Sequence, residues 1–286
     1  MPDLIKIDHL RKDYGSFQLR DVSFTVPEGC IMGLIGENGA GKTTVIKLLL
    51  NILRRDGGTV TIFGKDNLAS EREIKEETGV VFDECYFHGD LFPADLGKIL
   101  SAAYRSWDGG LYRRLLDDFE IPVKKSVKEL SKGMKMKLQI AGALSHHPRL
   151  LILDEATSGL DPVVRSEILD LLLDFIQEEG NSALFSSHIT SDLEHVADYI
   201  TFLHRGELVF SRSKDDLIYQ YGIARCGASE FEKLDRRHVI RYRKSGYGVE
   251  ALVSHREAVR RSRPDLVVDR ATLEDIMVLY SKGDRL

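Results

Sequence analysis

Apolar positions along the chain recur at two spacings, and the switching between them outlines the fold. Residues 4–7 and 17–26 alternate apolar and polar side chains in strand fashion, with Phe24 and Val26 sharing a face. Residues 31–35 form a compact apolar strand that runs into a glycine-rich turn, and residues 43–53 then repeat apolar positions at helical spacing. Residues 58–63 and 80–82 read as further strands. From about residue 91 to 147 helical patterns take over, at 95–107, at 111–119 behind a Gly109–Gly110 break, and at 131–147. Strand patterns return at 150–153, 183–186 and 199–203, and Arg205 with Gly206 makes a hairpin turn into 207–210.

Strands alternating with helices predict an α/β fold with a largely parallel core sheet and a helical insertion. Beyond about Tyr221 the texture shifts to strands at 239–242 and 249–253, a short helix at 256–261, a strand at 266–268 and a helix at 273–280. This predicts a small C-terminal α+β appendage of about 60 residues, a size at which a core is marginal alone. It is expected to lean on the main domain or on a partner. No internal repeat or low-complexity segment interrupts the pattern.

Composition narrows the class. A chain of 286 residues accommodates one large domain, or a domain plus an appendage. An apolar fraction of 43% with 30% charged residues is ordinary for a soluble globular protein. The net charge of −5 speaks against a nucleic-acid binder, and the basic run RRHVIRYR at 236–243 is more simply the polar face of a strand. Three scattered cysteines, Cys30, Cys85 and Cys226, give neither a disulfide framework nor zinc-ligand spacing, which suits a reducing cytoplasm. The opening MPDLIKIDHL lacks the basic and apolar regions of a signal peptide. No apolar run reaches the roughly 18 residues a membrane span needs, so the chain is expected not to cross a membrane itself.

The glycine-rich turn reads GENGAGKTT: Gly36, Glu37, Asn38, Gly39, Ala40, Gly41, Lys42, Thr43 and Thr44. Glycines at these positions let backbone N–H groups curl around a phosphate, and the following helix offers its positive end. Lys42 supplies a mobile charge to the outer phosphates, and Thr43 a hydroxyl ligand for Mg²⁺. A chance glycine turn is the plainer reading, but the flanking strand and helix are what the phosphate mechanism requires. A second strand, LLILDE, ends in Asp154 and Glu155. Asp154 is expected to serve the metal and Glu155 to polarise an attacking water, rather than merely solvating a strand end. A second pair of acids, Asp83 and Glu84 in VVFDECYF, ends the strand at 80–82, and its residues alone leave a metal site, a base and a solvated strand end all open.

These two motifs specify only a nucleotide hydrolase or transferase. The discriminating stretch is LSKGM, at Leu130 to Met134, where Ser131 is placed to cap the helix and Gly133 keeps its start approachable to an anion. With it, over about residues 4–218, the sequence resembles the nucleotide-binding subunits of ABC transporters, most of all the bacterial multidrug and antibiotic exporter branch. GENGAGKTT matches Walker A, LSKGM the signature usually written LSGGQ, and LLILDE Walker B. Ser158 to Asp161 (SGLD) matches the D-loop, His188 the switch histidine, and Tyr14 the aromatic that stacks on adenine.

The resemblance implies a P-loop NTPase core with an N-terminal antiparallel β subdomain and an inserted helical subdomain at about 88–147, together spanning 1–220, followed by an accessory domain at 221–286. It implies ATP and Mg²⁺ as cofactors, with Glu155, His188 and Lys42 catalytic. Tyr14, residues 36–44, Ser131, Lys132, Gly133 and Asp161 would bind nucleotide, and Thr43, Asp83 and Asp154 would serve the metal. Two such domains, identical or not, pair head to tail across ATP and power a separate transmembrane permease. No nucleic acid is involved. Membrane association, at the cytoplasmic inner face, is through the partner alone.

Two departures stand out. Lys132 and Met134 replace the second glycine and the glutamine of the signature. Asp83 occupies the place of a glutamine that reaches Mg²⁺, so it is expected either to serve the metal or to anchor the loop locally. Tyr86, Phe87, Leu91 and Phe92 follow as candidates for a partner-facing surface, against ordinary packing. A non-transport ABC-type ATPase is the alternative, but the paired cassettes or long coiled-coil insertion of that kind are absent. A small-molecule kinase would leave LSKGM unexplained.

Overall fold

The computed structural model describes residues 2–246 and 248–285. The chain opens with strands β1 (Asp3–Asp13), β2 (Gln18–Pro27) and β3 (Ile31–Ile35) and helix α1 (Lys42–Leu49). Next come β4 (Gly57–Ile62), β5 (Lys65–Asp66), α2 (Glu71–Glu76) and β6 (Thr78–Val81). Three helices follow, α3 (Pro93–Ala103), α4 (Gly109–Asp118) and α5 (Lys132–Leu144). The core resumes with β7 (Leu150–Asp154), α6 (Pro162–Ile176), β8 (Ser182–Ser187), α7 (Thr190–Val196), β9 (Tyr199–His204), β10 (Glu207–Ser213) and α8 (Lys214–Gln220). The C-terminal part holds β11 (Gly222–Cys226), α9 (Ala228–Phe231), β12 (Val239–Ser245), β13 (Gly248–Val253), α10 (Arg256–Ser262), β14 (Val267–Arg270) and α11 (Leu273–Lys282).

The central sheet runs β10-β9-β3-β8-β7-β6, parallel throughout except for the β9–β10 hairpin at one edge. Strands β3 and β7 are buried at every residue, as an apolar run without alternation requires when both faces of a sheet are covered. An antiparallel sheet, β2-β1-β4-β5, shares a core with α1 and one face of the central sheet, where Ile7, Phe24, Val60, Ile46, Leu34 and Ile152 meet. The opposite face packs against α5, α6 and α7. Helices α3, α4 and α5 gather around a smaller core of Leu96, Tyr112, Leu116 and Leu138.

The C-terminal sheet is antiparallel, in the order β12-β13-β11-β14. It does not stand apart: Leu273, Ile276 and Leu279 of α11 join the core formed by Leu193, Phe202 and the central sheet. The ring of Tyr280 lies 5.8 Å from that of Phe202 and 5.9 Å from that of Phe210. The Leu273 N–H donates to Glu194 Oε1 of α7 at 2.7 Å, which fastens the start of α11 to the core domain.

Three elements depart from the sequence pattern. The helix expected over 43–53 stops at Leu49, because the buried Asn67 amide donates to the Leu48 and Leu49 carbonyls and Asn51 turns left-handed at φ 55°. The Gly109–Gly110 break is instead the first turn of α4, since Asp108 accepts from Gly110 N–H and Leu111 N–H at 2.7 and 2.8 Å. Strand β11, central in its sheet, is not legible in GIARC: five residues carrying a glycine and an arginine show no readable alternation. Among the described residues, no helix is long and apolar enough to cross a membrane.

Candidate functional site

A cleft of about 790 Å³ opens at the C-terminal ends of β3, β6, β7 and β8, where an open parallel sheet places ligand sites. Its floor is the turn between β3 and α1. A side chain at Gly36 would meet the Leu203 carbonyl at 2.5 Å and Ala40 Cβ at 2.8 Å, so only glycine lets the chain turn there. Gly41 caps α1 at φ 110°, a conformation glycine adopts without strain. No acidic side chain occupies the first turn of α1. The loop and helix amides are therefore aimed at an anion with no carboxylate of that turn competing.

Lys42 is 5% exposed. Its ammonium donates to the Gly36 and Glu37 carbonyls at 2.7 and 3.3 Å and stands 3.1 Å from Glu155 Oε1. Glu155 itself sits in the left-handed region at φ 53°, which costs about 1 kcal/mol or more for a side chain of this type. Its N–H donates to both the carbonyl and the hydroxyl of Ser186 at 3.1 Å, and those bonds hold the turn. The turn delivers the carboxylate into the cleft. There His188 Nδ1–H donates to Glu155 Oε2 at 2.6 Å. One carboxylate thus bridges an ammonium and an imidazole on the wall of the phosphate cradle.

Asp154, at the end of β7, is 1% exposed and accepts from the Ser186 hydroxyl at 2.6 Å through Oδ1. Burial pushes its carboxyl above the ordinary range, partly opposed by the hydroxyls of Ser186 and Thr43, while the charges of Asp83 and Glu155 push in the same direction as burial. Its Oδ2 is buried without a hydrogen-bond partner among the described residues. An orphaned carboxylate oxygen beside a threonine hydroxyl, with a further acid in range, is a hard-oxygen donor set that fits a divalent cation completed by phosphate oxygens and water. Asp83 lines the cleft, and one of its oxygens accepts from the Glu84 N–H at 2.9 Å. It therefore caps the local backbone and faces the cleft at once.

The remaining candidates are distributed around this centre. Asn38, Gly39, Thr44 and Lys132 line the cleft. Ala40 braces the loop by accepting from Gly206 N–H at 3.0 Å, and Glu37 Oε1 pairs with His204 Nδ1 at 2.9 Å. Ser131 caps α5 by accepting from Met134 N–H at 3.2 Å, and Asp161 caps α6 by accepting from Val163 and Val164 N–H at 3.1 Å each. Neither of these two caps lines the cleft of the single chain. Gly133 lies against Val164, and a Cβ there would approach it to 3.3 Å. Lys132, in place of a glycine, donates to the Ser158 carbonyl at 2.7 Å and so ties the start of α5 to the 158–161 turn. Tyr14 is 45% exposed and stands 6.5 Å, ring to ring, from Phe17, whose ring is the first atom group that a side chain at Gly41 would meet.

Sequence reasoning missed Ser186, which holds both Asp154 and the Glu155 turn, and Gln139, which reaches the cleft from α5. A signal for Gln139 is present in the sequence: it is an amide on the otherwise apolar stretch of Met136, Leu138, Ile140 and Ala141.

Comparisons with known proteins agree with this fold. Residues 19–158 match the family described as ABC transporter. The lantibiotic transport ATP-binding protein SrtF of Streptococcus pyogenes is 33% identical over 217 residues, covering 74% of this chain and 92% of its own. The bacitracin transport ATP-binding protein BcrA of Bacillus licheniformis is 34% identical over 217 residues, covering 73% and 69%. Among solved structures, an ATP-binding subunit of an ABC transporter superposes with a TM-score of 0.67 at 27% identity, covering 75% of this chain and 91% of its own. A nucleotide-free ATP-binding cassette, at 21% identity and a TM-score of 0.63 with coverage of 75% and 93%, shares the fold.

Proposed function

This chain belongs to the ATP-binding subunits of ABC transporters, enzymes that hydrolyse ATP, and on that footing we propose that it powers export through a separate membrane permease. The observation that carries the reading is the Lys42–Glu155–His188 cluster set on the wall of a phosphate-shaped cradle. The relatives named for transport favour this over a non-transport ATPase. Those two relatives are named for lantibiotic and bacitracin transport, and an antibiotic of that kind is the substrate class we carry over from them.

In this reading the loop amides at 36–44 take the β and γ phosphates and Lys42 leaves its carbonyl partners for them. Thr43 and Asp154, with Asp83 nearby, would hold Mg²⁺, which would offset phosphate charge. Glu155 orients the attacking water, and His188 fixes that carboxylate through Nδ1–H. Tyr14 supports the adenine. Ser131, Lys132, Gly133 and Asp161 act across an interface, on ATP held by a second copy or a related subunit, a role consistent with neither helix cap lining the chain's own cleft. Residues 1–220 form the ATPase domain, with the helical part at about 88–147, and residues 221–286 form an accessory domain.

An apolar groove of about 450 Å³, lined by Ile52, Val80, Phe82, Tyr86 and Phe87, supports a permease contact beside the cleft. Tyr86 is 66% exposed and Phe92 43%, while Phe87 and Leu91 pack into the helical core. Membrane association, at the cytoplasmic face, then runs through this partner. Co-expression with the membrane protein of the neighbouring gene and detergent extraction tests the reading. A stable complex with raised ATPase activity is expected, and a chain that stays unassociated and unstimulated would overturn the transport role.

A further inference from the structure

Gln139 is the one amide on the buried stretch of α5, and it is 7% exposed. A polar side chain buried in a helix persists only where its hydrogen bonds are met. Its Nε2–H donates to the Phe82 carbonyl at 3.2 Å, with Met136 Sδ as a weak second acceptor at 3.9 Å. Phe82 lies just past the end of β6, an edge strand whose only ladder partner among the described residues is β7. Beyond that ladder no described strand holds the backbone, so an amide from α5 takes over the role. The next residue is Asp83.

The same side chain lines two concavities. One is the cleft of Lys42, Asp83 and Glu155, and the other the apolar groove of Ile52, Phe82 and Tyr86. The Phe82 and Tyr86 rings meet edge to face at 5.5 Å, so the segment leaving β6 is fixed at Gln139 on one side and forms the groove wall on the other. We propose that Gln139 is a positioning residue: its bond to Phe82 locks the 82–87 segment to α5, so that Asp83 in the cleft and Tyr86 in the groove move as one body with that helix. This rests on the reading of the cleft as the ATP site. It assigns the link between cleft and groove to a single hydrogen bond. Phe87 packs into the helical core farther along, so without that bond it is the stretch at Phe82 and Asp83, next to the cleft, that loses its tie to α5.

Hydrogen exchange on the full chain tests this in a Glu155→Gln background that retains ATP. With Gln139 present, MgATP is expected to slow exchange both at 36–44 and at 80–92. In Gln139→Leu the slowing at 36–44 should remain while that at 80–92 is lost, and in the otherwise unaltered enzyme kcat should fall about tenfold or more with KM for ATP within about twofold. Equal slowing at 80–92 with and without the amide would overturn the proposal. Absence of slowing at 36–44 in the Gln139-containing protein would instead overturn the ATP reading beneath it. Should Gln139→Leu not fold, Gln139→Met, unbranched and of similar length, carries the same comparison.

Discussion

The ammonium of Lys42 stands 3.1 Å from the carboxylate of Glu155, and both are largely buried. In the proposed reading, the phosphate-binding cation and the water-orienting base are therefore direct partners. A γ phosphate must compete with that carboxylate for Lys42, and drawing Lys42 away leaves Glu155 to His188 and to water. Phosphate binding and activation of the base would in this way be a single rearrangement.

Replacing Lys42 with alanine removes the charge offered to the phosphates and strands Glu155 near them. ATP affinity should weaken about tenfold to a hundredfold, the range expected for a charge-assisted contact of roughly 1.5–3 kcal/mol. Equilibrium binding of a fluorescent ATP analogue checks this, and unchanged affinity would contradict the phosphate role.

Asp83 has one oxygen on its own loop, and the residue lines the cleft. Asp83→Gln and Asp83→Ala should both shift the Mg²⁺ concentration that half-activates hydrolysis, alanine the more. Titrating Mg²⁺ at fixed ATP reads this directly. Identical curves for all three proteins would leave Asp83 as a loop anchor only.

Leu279 of α11 is buried in the same core as Phe202 and Leu193. Leu279→Ala should cost about 2–5 kcal/mol and lower the stability of the whole chain in one cooperative transition. Urea unfolding followed by tryptophan fluorescence and circular dichroism checks the prediction, because Trp107 lies in the helical part, far in sequence from the substitution. Two separated transitions would show the C-terminal part to be independent.

Across the C-terminal sheet, Arg243, Glu250, Arg225 and Asp269 form a chain of ion pairs joining β12, β13, β11 and β14. The Arg243 bond, with Arg225 behind it, holds the Glu250 carboxyl below the usual range despite some desolvation. A depressed carboxyl contributes stability that is present above its unfolded value, about 4.3, and lost as pH falls through the folded value. Glu250→Gln should therefore lower stability at pH 7 by no more than about 1 kcal/mol for so exposed a pair, seen as a slightly lower melting temperature. The two curves should converge in acid. An undiminished gap at low pH would contradict the ion-pair account.

The parts of this molecule that are legible in sequence are those where one local pattern decides the outcome. Strand β3 and the first four residues of β7 are apolar runs, and Gly36 and Gly41 mark a tight turn, so both strands and the glycine-rich loop can be read residue by residue. What escapes depends on contacts distant in the chain. Asn67 ends α1 from 18 residues away, and Gln139 reaches Phe82 from 57 residues away. Asp83 is ambiguous for a similar reason, since it both caps the Glu84 N–H and lines the cleft, and the sequence shows only that an acid is there.

The most direct measurement is the ATPase rate of Glu155→Gln beside its affinity for ATP. The amide keeps the shape of the side chain but loses the charge that pairs with Lys42 and orients water. Turnover should fall by about a hundredfold or more, while ATP affinity is kept or rises as Lys42 is released. Turnover near that of the parent protein, with affinity unchanged, would contradict the assignment of Glu155 as the base and with it the coupling of base to phosphate through Lys42.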